Sequence, residues 1–553
     1  GFSDTLSGIQ KYEYAIGTSS GGTDVVDWTN NSTDTSITKA GLTLTNGTTY
    51  YLNIRAADNV GNVSTIVTSD GITVDTDVPI ISSVIEGSST ADIDYQNSDT
   101  TLIIIWTGSD TASGIAQYEY ALGTAAAASN TVAWTNAGMA TADTLTGLSL
   151  TEDSTYYLSA RATDVAGNLS VVASGDGVTI DLTAPVGTIV NDGTGDDIAY
   201  SGSDSTLSAV WPAFTETVSG ISKYEYAIGS SSGGTDVVDW TNNTTDTSVT
   251  KAGLTLTNGT TYYLSVRAAD NVGNVSTIVT SDGITIDTDV PTISSVIEGS
   301  TTADIDYQNS DTTLIIVWTG SDTASGIAQY EYALGTAAAA SNTVAWTNAG
   351  MATADTLTGL SLTEDSTYYL SARATDVAGN LSVVASGDGV TIDLTAPVGT
   401  IVNDGTGDDI AYSGSDSTLS AVWPAFTETV SGISKYEYAI GSSSGGTDVV
   451  DWTNNTTDTS VTKTGLTLTN GTTYYLSIRA ADNVGNVSTI VTSDGITVDT
   501  DVPIISSVIE GSSTADIDYQ NSDTTLIIIW TGSDTASGIA QYEYALGTAA
   551  AAS

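Results

Sequence analysis

The sequence predicts an all-β protein: a tandem array of two-sheet antiparallel β-sandwiches, beads on a string with a 106-residue period. Three observations predict it. Ser7-Gly8-Ile9 returns as Ser113-Gly114-Ile115, Ser219-Gly220-Ile221, Ser325-Gly326-Ile327, Ser431-Gly432-Ile433 and Ser537-Gly538-Ile539, always 106 residues on, with near-identity at 212. That period exceeds the roughly 20 to 50 residues of solenoid repeats and suits a domain of about 100 residues with its own core. The apolar runs are short, β-branched or aromatic, and bounded by Gly, Asp, Asn and Ser, and none keeps a 3.6-residue period for long.

The X-Pro junctions at Pro79, Pro185, Pro291, Pro397 and Pro503 set the boundaries. They predict a partial sandwich of type Y over 1–78 and whole ones over 79–184 (type X), 185–290 (Y), 291–396 (X) and 397–502 (Y). A partial type X sandwich follows over 503–553. Gly1-Phe2-Ser3 aligns with Ala213-Phe214-Thr215 in mid-module, and Ser553 aligns with Ser341, where the other copy continues. The expectation is a window on a longer chain, with export signal and anchor outside it.

In the type X module the expected strands are Thr101–Trp106, Ile115–Gly123, Thr131–Thr135, Asp143–Leu150, Thr155–Thr163 and Gly177–Asp181. "GTAAAASN" has helix propensity but is too short to outrank a loop. Alternation places Leu102, Ile104 and Trp106 on one buried face, with Tyr118, Tyr120 and Leu122 and then Tyr156, Leu158, Ala160 and Ala162 on another. The two stripes make a two-sheet core.

The Trp closing an early strand, the "YEYA" strand and "GLTLTNGTTYYLNIRAAD" (Gly41 to Asp58) resemble a fibronectin type III-like sandwich. The resemblance covers nearly the whole chain. It implies a corner before the sixth strand at Tyr50, six residues before Ala56, and at Tyr156, before Ala162. Two departures stand out: Asn46-Gly47 or Glu152-Asp153 replaces the usual corner proline, and no Arg-Gly-Asp tripeptide occurs, so integrin binding is not implied. The "G-x-x-VDT-x-x-P" junctions resemble bacterial surface arrays of immunoglobulin-like and fibronectin-like domains. Those commonly serve as adhesin stalks and extracellular fibres.

Composition narrows the function classes. There are 65 Asp and Glu against 11 Lys and Arg, a formal net charge of −54, and neither His nor Cys. Nucleic acid and anionic membrane surfaces are poor partners, since both are bound by basic residues; cations are natural ones. Without His or Cys no Ser-His-Asp, Cys-His or thiolate-metal set can be drawn.

The linker before a sandwich is expected to meet that module's second-to-third and sixth-to-seventh strand loops. This brings Asp75 and Asp77 towards Asp110 and Asp164, and likewise Asp287 and Asp289 towards Asp322 and Asp376. Four hard oxygen donors suit calcium, which takes six to eight. Asp181, Glu216 and Asp270 form a poorer set at the other joint type, where Leu182-Thr183 replaces Thr76-Asp77. The competing reading is turn chemistry: "RAADNVGNVS" is rich in residues that cap turns or adopt a left-handed backbone.

Three lesser features complete the inventory. Trp28, Trp134, Trp240, Trp346 and Trp452, each in "WTN", could stack on sugar or pack over the sheet edge, and packing is the favoured reading. Ile103 and Ile105 are expected to point away from the core, where type Y has Ser208 and Val210; they offer a lateral contact for like chains or an ordinary β-branched outer face. Asn-x-Ser/Thr at Asn46 and Asn62 is expected by chance in such a composition.

The functional expectation is structural and extracellular, at the cell surface: the stalk of an adhesin or the body of a fibre, giving reach and mechanical continuity. The alternatives are glycan- or protein-binding modules, and spacer domains of an extracellular enzyme whose catalytic domain lies outside these residues. No catalysis is expected within them.

Overall fold

The computed structural model describes residues 1–88, 91–299, 302–512 and 515–548. The chain forms two compact units, Gly1–Ile286 and Asp287–Ser553. Among the described residues all regular structure is β-strand.

In the first unit, residues 79–184 close as two sheets. One orders Ala142–Thr146, Thr101–Ser109, Ile80–Ser88 and Ala91–Asp92. The other orders Val132–Gly138, Ile115–Gly123, Thr155–Asp164, Val178–Ile180 and Tyr95–Gln96, with Ala173–Ser174 also on Thr155–Asp164. Pairing is antiparallel except at Tyr95–Gln96, which runs parallel to Val178–Ile180. This three-plus-four main arrangement, with tyrosine corners, is a fibronectin type III-like sandwich. Each corner is closed by a phenol: Thr45, Thr151, Thr257, Thr363 and Thr469 donate their N–H to Tyr50, Tyr156, Tyr262, Tyr368 and Tyr474, at 2.7 to 3.1 Å.

The alternation stripes meet as expected. Leu102, Ile104, Trp106, Tyr118, Tyr120, Leu122, Tyr156, Leu158, Ala160 and Ala162 share one core. Trp106 is fully buried, with its ring centroid 5.3 Å from that of Tyr120. Each such aliphatic or aromatic side chain contributes roughly 1.5–3 kcal/mol of burial.

Several strands differ from expectation for local reasons. The Asp143–Leu150 run pairs only as Ala142–Thr146, because Gly147 turns the chain at φ +67°. The Thr131–Thr135 run extends to Gly138. The nine-residue strand Ile80–Ser88 escapes the alternation rule because its pairing with Thr101–Ser109 shifts register between Ile81 and Ser83. A bulge of this kind flips the sequence pattern.

Type Y, residues 185–290, keeps the second sheet and shortens the first to Asn191–Asp192, Thr206–Val210 and Ser248–Ala252. Pro212 follows Trp211 and cannot donate to a ladder. Phe214 fills the gap instead, 4% exposed and edge-on to Tyr224 with centroids 5.3 Å apart.

The second unit contains the same two sandwich types, with cores around Trp318 and Trp423.

Candidate functional site: the linker joints

Every linker is tied to the module that follows it. Asp75 accepts the N–H of Ser113 at 2.9 Å, and the same bond joins Asp181 to Ser219, Asp287 to Ser325, Asp393 to Ser431 and Asp499 to Ser537, at 2.8 to 3.2 Å. A second tie runs the other way. Asn168, Asn274, Asn380 and Asn486 donate side-chain N–H to the carbonyls of Asp75, Asp181, Asp287 and Asp393, at 2.7 to 3.0 Å.

Those asparagines are held by the loop "ADNVGN" or "TDVAGN". Asp270 Oδ1 accepts the N–H groups of Val272, Gly273 and Asn274, and its Oδ2 accepts the Asn274 amide at 2.8 Å. Asp164 does the same for Asn168 through both oxygens. Gly167 and Gly273, at φ +97° and +95°, supply the left-handed step the loop needs. The repeated loop is thus a bracket for the incoming linker.

The departing module grips the linker from its other side, with the residues that replace the corner proline. Asn46 Oδ1 accepts Thr76 N–H at 2.7 Å, whereas Glu152 accepts Leu182 N–H at 2.7 Å and the Thr183 hydroxyl at 2.9 Å. Sequence reasoning noted this departure without seeing its use. The signal was there: a hydrogen-bonding residue at a conformational position, next to a polar linker. Unit one adds a contact between modules, Asn97 Nδ2 to the Val272 carbonyl at 2.8 Å.

Three of the four carboxylates expected at the richer joints come together, and Asp77 and Asp289 are not in those sets. Asp75, Asp110 and Asp164 can each offer an oxygen with all three within 4.8 Å of one another, as can Asp181, Glu216 and Asp270, and Asp287, Asp322 and Asp376. Asp77 and Asp289 enter their joints through backbone N–H groups, donated to Asp75 and Asp287 at 3.1 Å. Hydrogen bonds from Ser113 hold the Asp75 carboxyl below the usual range. Backbone N–H groups occupy many of the remaining oxygens: Asp110 Oδ2 accepts from Ala112 and Gly114, and Glu216 Oε1 from Val218. Asp110 Oδ1 is buried with no partner.

The second tryptophans have an internal partner. The guanidinium carbons of Arg55, Arg161, Arg267, Arg373 and Arg479 lie 4.0 to 4.4 Å from the ring centroids of Trp28, Trp134, Trp240, Trp346 and Trp452. Each Arg also holds a strand glutamate, as Arg161 holds Glu119 at 2.8 Å. Such a stack fixes one face of the ring over its own sheet. Ile103 does point outward, 43% exposed, and Ile105 is half-buried on the same face. In type Y the Ser208 hydroxyl instead pairs with that of Thr250.

Tandem fibronectin type III-like sandwiches with bracketed linkers are the class of protein this architecture defines. No family model matches the chain. It is 31% identical over 403 residues to Exoglucanase B of Cellulomonas fimi, a match covering 69% of this chain and 33% of that protein. The chain therefore spans about a third of that relative's length. Similar solved structures include the FN1–FN3 domains of chicken CNTN1, at 15% identity, covering 57% of this chain and 97% of that one, TM-score 0.25. The fibronectin(III)-like modules of Clostridium thermocellum CbhA match at 14%, covering 38% and 94%, TM-score 0.23. Domains A168–A170 of titin match at 16%, covering 57% and 99%, TM-score 0.27.

Proposed function

We propose that these modules are non-catalytic spacers of an extracellular enzyme, carrying a domain elsewhere in the protein at a set separation from its anchor or substrate. The observation that carries this reading is the likeness to Exoglucanase B, which takes in 69% of this chain but only a third of the relative. The stalk of an adhesin or the body of a surface fibre assigns the same mechanical role with a different cargo. The exoglucanase likeness favours the enzyme.

Chemistry within the modules supports a passive role. Glycoside hydrolysis takes two carboxyl groups either side of a bound sugar, one held protonated near neutral pH. Glu86, pushed up to about 7 by burial, has the second property, but it is 0% exposed and no sugar reaches it. The joint carboxylates accept backbone N–H groups, which is positional work. Calcium at Asp75, Asp110 and Asp164 and at the equivalent joints is proposed as a reinforcement of that work.

The test is sugar release from cellulose by the purified 553-residue chain. Background release is expected. Turnover that Glu86→Gln abolishes would overturn the proposal.

A further inference from the structure

A second set of carboxylates recurs in every complete module and shares no residue with the joints. In type X, Glu86 lies two residues before the end of the first strand, fully buried, and stands with the exposed Asp92 and Asp176; in type Y, the fully buried Asp192 stands with the exposed Asp197 and Asp282. In both sets the three side chains can bring an oxygen each within 4.8 Å of one another. The buried member is anchored on one side only. Glu86 Oε1 accepts Leu158 N–H at 2.8 Å, and Glu86 N–H donates to Asp92 Oδ1 at 3.0 Å, but Glu86 Oε2 is buried with no partner. Asp192 repeats the pattern: its N–H donates to Asp197 Oδ1 at 2.7 Å, its Oδ2 accepts Gly283 N–H, and its Oδ1 is buried with no partner. In the second unit Glu298 Oε2 and Asp404 Oδ1 are left in the same way.

An orphan carboxylate oxygen is costly in a protein interior, and two further carboxylates beside it raise that cost. No basic side chain relieves it. Residues 79–184 hold twelve acidic residues and a single basic one, Arg161, which is committed to Glu119 and Trp134. Yet the two module types rebuild the same orphan with different residues. Type X pairs the long Glu86 with Gly175, where an added Cβ would lie 2.2 Å from Glu86 Oε2. Type Y pairs the shorter Asp192 with Ser281, whose hydroxyl takes over the N–H of Leu264 at 3.1 Å. The strand N–H that Glu86 satisfies is met by serine, and one oxygen of the buried carboxylate is still left without a partner.

We propose that each complete module carries a calcium position here, with Glu86, Asp92 and Asp176 as ligands in type X and Asp192, Asp197 and Asp282 in type Y. The donor set is all oxygen, which suits calcium; the two exposed members leave a way in from solvent, and water completes the six to eight ligands. The ion compensates the charge that no Lys or Arg reaches. Burial pushes Glu86 and Asp192 up to about 7, consistent with a charge that lacks compensation when the position is empty.

The test is calcium titration of the full chain at pH 7.5, by calorimetry and by melting with calcium or chelator. It compares the parent chain with Glu86→Gln plus Glu298→Gln, and with Asp192→Asn plus Asp404→Asn. Gln keeps the acceptor for Leu158 N–H and removes a buried charge, so circular dichroism should report intact folding. Each double variant is expected to lose two calcium equivalents and the part of the calcium-dependent rise in Tm that belongs to its modules. Joint variants such as Asp110→Asn are expected to leave these equivalents in place. Equal stoichiometry in the parent and both double variants, or no calcium bound by the parent, would overturn the proposal and leave the buried acids neutralised by protons alone.

Discussion

Types X and Y solve one closure problem in two ways. In X the first strand runs nine residues along Thr101–Ser109, and Gly108 leaves room against the Ile80 carbonyl and the Tyr118 ring. In Y Pro212 ends that ladder early, and Phe214 plugs the gap, packed so closely on Gly187 that an added Cβ there would lie 2.3 Å from the ring. One type closes by backbone pairing, the other by an aromatic side chain. The second sheet, which carries the tyrosine corner and the linker bracket, is nearly unchanged. Divergence reaches the joint only where Glu152 replaces Asn46 as the grip of the departing module and Glu216 replaces Asp110, and it leaves the Asp–Ser and Asn–carbonyl ties in place; neighbours that differ in the first sheet are less prone to swap strands.

The comparison can be broken most sharply at the plug. Phe214→Ala is expected to cost the Y module about 3–5 kcal/mol, as large-to-small core changes do. Calorimetry of the chain should then show one early transition while the X modules keep theirs. An equal shift in X would mean that the two types do not unfold independently.

Acid sharpens a feature the types share. Glu86 stands at about 7 against the usual 4.5, and Asp192 at about 7 against 3.8, both chiefly through burial. The folded state therefore holds more protons than the unfolded one between those limits. Stability from these groups is full below the lower value and is lost as pH rises through about 7. At roughly 1.4 kcal/mol per pKa unit, each site is worth a few kcal/mol at most. Urea midpoints in chelator should be higher at pH 5 than at pH 7.5, and Glu86→Gln with Glu298→Gln should flatten the slope in the X transitions. Asp75, held low by Ser113, works the opposite way, lending stability that is lost only as pH falls below its usual 3.8.

A smaller effect tests the paired exchange. Gly175→Ser in X should destabilise by about 1–3 kcal/mol, because its Cβ meets the Glu86 carboxylate. Adding Glu86→Asp, which recreates the Y pair, should recover most of that loss in a double-mutant cycle. Smallest, and equal in both types, is the corner: Tyr156→Phe and Tyr262→Phe should each cost about 1 kcal/mol by removing one acceptor.

The sequence made the sandwich legible because its core stripes alternate cleanly: Leu102, Ile104 and Trp106 read as a strand face before any pairing is known. By topology alone it placed Asp75, Asp77, Asp110 and Asp164 at one joint, of which the first, third and fourth form the set and Asp77 does not. It did not reveal Ile80–Ser88, whose serine pair and bulge break the alternation. Glu86 was missed with that strand, although an acid closing "SVIE" on an otherwise apolar face was a visible signal. Nor could it assign Asn168, because an Asn in a Gly-containing turn reads as turn chemistry whether or not its amide reaches another element.

The central claim is that the linkers at Asp75, Asp181, Asp287 and Asp393 are each fixed to the module that follows by an Asp–Ser and an Asn–carbonyl tie. Hydrogen exchange of the full chain at the N–H of Ser113, Ser219, Ser325 and Ser431 tests it most directly. The account predicts protection close to that of the neighbouring strands, lost at Ser113 alone in Asp75→Ala. Exchange at all four as fast as at an exposed loop would contradict it.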